Sequence, residues 1–74
     1  RSYQRALAAA GAAARELAAE ARCRRAAAAL VAGHAPLAEI GFVCGWADQA
    51  HFTRQFAQRV GLTPGQYREA FGRA

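Results

Sequence analysis

The stretch from Pro36 to Tyr67, PLAEIGFVCGWADQAHFTRQFAQRVGLTPGQY, constrains the fold of this chain more than any other. Its first part, about Leu37 to Val43, reads as a short apolar helix, with Leu37, Ile40, Phe42 and Val43 as its apolar set. Cys44-Gly45-Trp46 reads as a tight turn, and Asp48 is a good N-cap for a second, more polar helix. Phe52, Phe56 and Val60 recur at i, i+4 and i+8 and mark the buried stripe of that helix. Gly61 stops it. Thr63-Pro64-Gly65-Gln66 then starts another helix, with Thr63 as cap, Pro64 at the first helical position and Gln66 placed to close a capping box. Gly41 costs roughly 1 kcal/mol inside a helix relative to Ala. A close crossing of the two helices would explain it, because a side chain there would strike the second helix. Two short helices joined by a glycine turn are the sequence form of a helix-turn-helix, which often lays its second helix in the DNA major groove. Trp46 is the expected core anchor, in one core with Phe42, Phe52 and Phe56.

Upstream, Arg1 to Ala10 (RSYQRALAAA) is helical in pattern from its first residue. Tyr3, Leu7 and Ala10 fall on one face, and Arg1, Gln4, Arg5 and Ala8 on another. A start inside a helix suggests that upstream residues belong to the same fold. Gly11 is expected to end this helix. A long helix is expected from about Ala13 to Ala32, roughly 30 Å at 1.5 Å per residue. Leu17, Ala21, Arg24 or Arg25, Ala28 and Val31 follow its period, with Leu30 and Val31 as the best core residues. Glu20 and Arg24 form a favourable i, i+4 pair. Gly33-His34-Ala35-Pro36 breaks the chain before the next helix. At the other end, Tyr67 and Phe71 should pack back on the bundle, and Gly72 to Ala74 should fray.

Strand signals are absent, and Ala and Arg, both good helix formers, dominate. The expected class is all-α. Ten Arg against five acids give a net charge of +5, with no Lys. That excess suits nucleic acid or an anionic membrane surface. Arg is the residue of choice for bidentate contacts to phosphate and guanine. Cys23 and Cys44 make no disulfide scaffold and, with His34 and His51, no metal-ligand pattern. No signal peptide is visible, and Ala26 to Ala32 is too short an apolar run to span a bilayer. The expected location is cytoplasmic. No phosphate loop, paired carboxylates or nucleophile constellation is present, so neither catalysis nor a cofactor is expected.

The helix beginning at Asp48 carries the candidate reading surface. Gln49 and Arg54 have the side chains best matched to adenine and guanine, Thr53 offers a methyl or a hydroxyl, and Ala50 suits a thymine methyl. His51 reads either as a phosphate contact or as a structural residue at the helix start. Arg1, Gln4 and Arg5 stand together as a second possible base-reading face. Arg22, Arg24, Arg25 and Arg68 are candidates for the DNA backbone, with pairing to Glu16, Glu20 or Glu39 as the other reading of the first three.

The segment LAEIGFVCGWADQAHFTRQFAQRVGLTPGQYR resembles the second helix-turn-helix of the AraC/XylS family of bacterial transcription regulators. That pattern has an I-A-x-x-x-G-F run, a Gln-Ser-His-Phe-like helix start, an aromatic stripe and a closing G-x-[ST]-P-x-x-[YF]-R. Ile40, Gly45, Trp46, Gln49, His51, Phe52, Arg54, Phe56, Gly61, Thr63, Pro64, Tyr67 and Arg68 match it. Gly41 stands where Ala is usual, Trp46 where Phe is usual, and Ala50 where Ser is common. Arg1–Gly11 resembles the recognition helix of the family's first unit, and the helix after it resembles the linking helix. The resemblance implies a double helix-turn-helix. Residues 1–11 would be the recognition helix of an incomplete first unit, 12–33 the linking helix, and 34–74 the complete second unit with its closing helix. It also implies two helices in successive major grooves, with Arg1, Gln4 and Arg5 as groove contacts. Double-stranded DNA would be the partner, with RNA polymerase as a further one, and any dimerisation would run through a region outside these residues.

Two other readings stand beside this one. A helical protein-interaction module could use the Arg face to bind an acidic partner, but it should expose large apolar residues on the Asp48–Val60 helix. A membrane-surface helix needs a strong apolar face with no competing core.

Overall fold

The computed structural model describes residues 1–73. Four helices succeed one another: α1 (Ser2–Ala32), α2 (Leu37–Cys44), α3 (Gln49–Val60) and α4 (Pro64–Phe71). The all-helical expectation holds, and no strand occurs among the described residues.

The core lies where the second half of α1 meets the other three helices. Cys23, Ala26 and Leu30 of α1 pack with Ile40 and Cys44 of α2, Trp46 of the turn, and Phe52 and Phe56 of α3. Small residues on α1 let the aromatic side of α3 approach closely. A chain of ring contacts then runs outward from the turn. Trp46 meets Phe52 at 4.6 Å, Phe52 meets Phe56 at 5.8 Å, Phe56 meets Tyr67 at 5.5 Å and Tyr67 meets Phe71 at 4.9 Å between centroids. Each such pair contributes about 0.5–1.5 kcal/mol beyond the area it buries.

Several expectations need correction. The helix stop at Gly11 is absent, and α1 runs unbroken across the division drawn between residues 1–11 and 12–33. Gly11 carries no positive φ. The face of α1 that meets the core is Ala19, Cys23, Ala26 and Leu30, not the row through Leu17, Ala21, Ala28 and Val31. Phe42, expected in the core, is 77% exposed, and Val43 of the same apolar set is 74% exposed. They lie on the outer side of α2, whose inner side is Ile40, Gly41 and Cys44. Val60 is also exposed, because the last turn of α3 runs past the core. Phe71 rests on the Tyr67 ring but stays mostly exposed. Of the residues expected to fray, Arg73 donates its backbone N–H to the Val31 carbonyl at 3.3 Å, and Ala74 lies outside the described residues.

Residues 1–18 of α1 are exposed apart from half-buried Gly11, so Tyr3 and Leu7 meet no partner among the described residues. The bundle occupies one end of the molecule, and α1, about 46 Å long at 1.5 Å per residue, extends from it.

Candidate nucleic-acid interface

The geometry of α3 is set at its start. Gly45 takes φ 112° and closes α2 with two backbone bonds, Gly45 N–H to the Phe42 carbonyl at 3.1 Å and Trp46 N–H to the Gly41 carbonyl at 2.9 Å. This is a Schellman motif, and its left-handed residue is suited to glycine. The chain then reverses through Trp46 and Ala47 to Asp48, whose Oδ1 accepts the His51 backbone N–H at 2.7 Å. That cap is worth about 1 kcal/mol. The close crossing expected at Gly41 is present: a Cβ there would lie 2.7 Å from Cδ2 of Phe52.

Phe52 and Phe56 are fully buried, which turns the opposite side of α3 to solvent. Gln49, Ala50, His51, Arg54 and Gln58 are exposed there, with Thr53, Gln55 and Ala57 half-buried beside them. A shallow, open depression along this side is lined by His51, Arg54, Gln55, Ala57 and Gln58. The four residues expected to meet bases, Gln49, Ala50, Thr53 and Arg54, therefore lie together on one accessible surface. Gln58 was missed by sequence reasoning. It is four residues on from Arg54 and seven from His51, so helical spacing alone would have placed it on the same ridge.

The second expected face, Arg1, Gln4 and Arg5, is exposed but remote from α3. Arg5 lies about 21 Å along α1 from Ala19, where the helix joins the bundle. The arginines expected at the DNA backbone diverge in role. Arg22 donates to Gln55 Oε1 at 3.3 Å and stacks over Trp46, 5.6 Å from the ring centroid. Arg25 donates to the Cys44 carbonyl at 3.4 Å, steadying the end of α2. Arg24 is exposed and pairs with Glu20 at 2.7 Å. Arg68 donates from Nε to the Leu30 carbonyl at 3.2 Å and from Nη2 to the Ala35 carbonyl at 2.7 Å, clasping α4 to the end of α1. Arg59, singled out by nothing in the sequence, bridges α3 to Glu16 of α1.

α4 restarts as its sequence dictates. Thr63 Oγ1 accepts the Gln66 backbone N–H at 3.1 Å, and Gln66 Oε1 accepts the Thr63 backbone N–H at 2.9 Å. This reciprocal box seats Pro64 and holds Tyr67 against Phe56.

A helix-turn-helix domain family model of the AraC type matches residues 1–70. The chain belongs to this AraC-type helix-turn-helix family. In that frame α2 and α3 are the paired helices, Gly45 is the turn, and α3 is the second, outward helix. As a helix-turn-helix domain, it has DNA as its partner class. No solved structure matches the chain.

Among the described residues the thiols and imidazoles are those of Cys23, Cys44, His34 and His51. No group of His, Cys, Asp and Glu there is arranged to hold a metal ion. Cys23 and Cys44 are free and buried, and desolvation raises the Cys23 thiol above its ordinary pKa, against the lowering pull of Arg59 and Arg22. Among the described residues no helix is long and apolar enough to cross a membrane.

Proposed function

We propose that this domain recognises double-stranded DNA by sequence, with α3 in the major groove, as the DNA-reading part of a bacterial transcription regulator. The observation that carries the reading is the division of α3 into two sides. Phe52 and Phe56 are buried, while Gln49, Ala50, His51 and Arg54 face solvent from a capped and braced helix.

Arg54 is assigned a bidentate contact to guanine and Gln49 one to adenine, each worth about 1–3 kcal/mol of discrimination. Ala50 allows close approach and meets a thymine methyl, and Thr53 reads from the flank. His51 and Arg24 serve the backbone. Arg1, Gln4 and Arg5 form a second reading surface, offset along α1. The net charge of +5 drives salt-dependent approach, and the base edges supply selectivity. A cytoplasmic setting and contact with RNA polymerase belong to the same role. An acidic protein partner is the weaker reading, because the accessible ridge of α3 has no large apolar anchor.

Selection of bound duplexes from a random library tests the proposal. Enrichment of one sequence pattern is expected. Retention of duplexes without any preferred pattern would leave charge-driven binding and overturn sequence recognition.

A further inference from the structure

Gln55 is half-buried on the flank of α3, one residue on from Arg54 and so about 100° round the helix from it. Its Oε1 accepts Trp46 Nε1–H at 2.7 Å and Arg22 Nη2–H at 3.3 Å. Indole and guanidinium N–H groups only donate, so the atom they share must be the carboxamide oxygen. The amide orientation, ambiguous for most glutamines, is decided here by its two partners. Nε2 is then directed away from both of them, and it makes no hydrogen bond among the described residues. Gln55 lines the same depression as His51, Arg54 and Gln58.

We propose that Gln55 donates from Nε2 to a DNA backbone phosphate at the rim of the groove, an inference that rests on the DNA-reading role of α3. Two features select a phosphate over a base. Gln55 sits off the ridge that Ala50, Arg54 and Gln58 present, where a helix in the groove faces the sugar–phosphate wall. With its oxygen engaged, the amide offers donors alone, which matches phosphate oxygens, acceptors alone. The same amide group then links the phosphate to the turn through Trp46 and to α1 through Arg22, and so sets the depth and rotation at which Arg54 meets the bases. Gln55 is a contact and positioning residue, and no base is read through it.

Gln55→Glu separates the two ends of the side chain. It keeps an acceptor for Trp46 and Arg22 and replaces the outward donor with a carboxylate oxygen. The thermal midpoint should hold or rise, while affinity should fall by about tenfold or more on every duplex. The order of preference among sequences should not change. Ala70→Glu, the same charge change at an exposed site on α4, should weaken binding far less. A scan with single uncharged methylphosphonates gives the decisive sign. One position should weaken wild-type binding yet strengthen binding by Gln55→Glu, because it removes the repelling charge. If Gln55→Glu does not fold, Gln55→Met takes its place, and the position that weakens wild type should leave this variant unaffected. Equal affinities for Gln55→Glu and Ala70→Glu, or no position responding differently in variant and wild type, would overturn the proposal. Failure of wild type to bind any duplex would instead overturn the DNA-reading role itself.

Discussion

Gly41 and Phe52 decide how closely α2 and α3 approach. The family resemblance puts Ala at position 41 and Phe at position 46, whereas this chain has Gly and Trp. The structure couples the two exchanges. The Trp46 ring lies 4.6 Å from Phe52, and Phe52 in turn occupies the space a Cβ at position 41 would need. The larger ring on one side is matched by a missing methyl on the other. Gly41→Ala alone should therefore destabilise by about 1–3 kcal/mol through overpacking, outweighing a gain of roughly 1 kcal/mol in helix propensity. Adding Trp46→Phe should recover part of that loss, at the cost of the Gln55 hydrogen bond. Urea unfolding of both single variants and the double variant would measure the coupling, and strict additivity would contradict the shared-space account.

At the scale of the element, two glycines behave oppositely. Gly61 ends α3 at φ 91°, whereas Gly11 lies inside α1 without a break. The residues just downstream of each glycine account for the difference. After Gly61 come Leu62, Thr63 and Pro64, a cap and a helix-starting proline. After Gly11 come Ala12, Ala13 and Ala14, the strongest helix formers available. Gly weakens a helix by about 1 kcal/mol but does not stop one unless the next residues offer the backbone an alternative. Ala13→Thr with Ala14→Pro recreates the Gly61 arrangement and should interrupt α1 near Gly11. Backbone chemical shifts would detect the break. The unfolding midpoint should barely change, since residues 1–18 lie outside the core. This pair also marks what was legible in the sequence. The Asp48 cap, the Gly45 turn and the Thr63–Gln66 box could be read because their residues act locally. The core face of α1 could not, because runs of alanine give a helix no hydrophobic contrast. Its buried row is Ala19, Cys23, Ala26 and Leu30, of which Cys23, Ala26 and Leu30 are selected by packing with the aromatic rings of the turn and α3. Phe42 misled for the converse reason: α2 is apolar on both sides, and only packing says which side is inward. Arg22, Arg25 and Arg68 read as candidates for the DNA backbone, the first two also as partners of Glu16, Glu20 or Glu39; the groups they donate to in the fold lie 33, 19 and 38 residues away in the chain, beyond any periodicity.

The molecule as a whole is a small bundle with one ring-lined core and a projecting helix. Stability for a chain this short is of order 5–10 kcal/mol or less. Trp46→Ala removes the start of the ring chain and the anchor for Gln55 and Arg22, at a cost of about 3–5 kcal/mol. Circular dichroism should find that variant largely unfolded or close to its transition at 37 °C, and a stable fold would mean that the core is centred elsewhere. Everything functional depends on that core holding the polar side of α3 outward, with Arg54 at the middle of the ridge. The most direct measurement is the affinity of wild type and Arg54→Ala for the selected site and for each of its single-base-pair variants, at one salt concentration. The expected result is a loss of about 1–3 kcal/mol on the selected site, with discrimination collapsing at one base pair and persisting at the others. An equal loss on every duplex, with all preferences intact, would make Arg54 a phosphate contact and contradict the reading of α3.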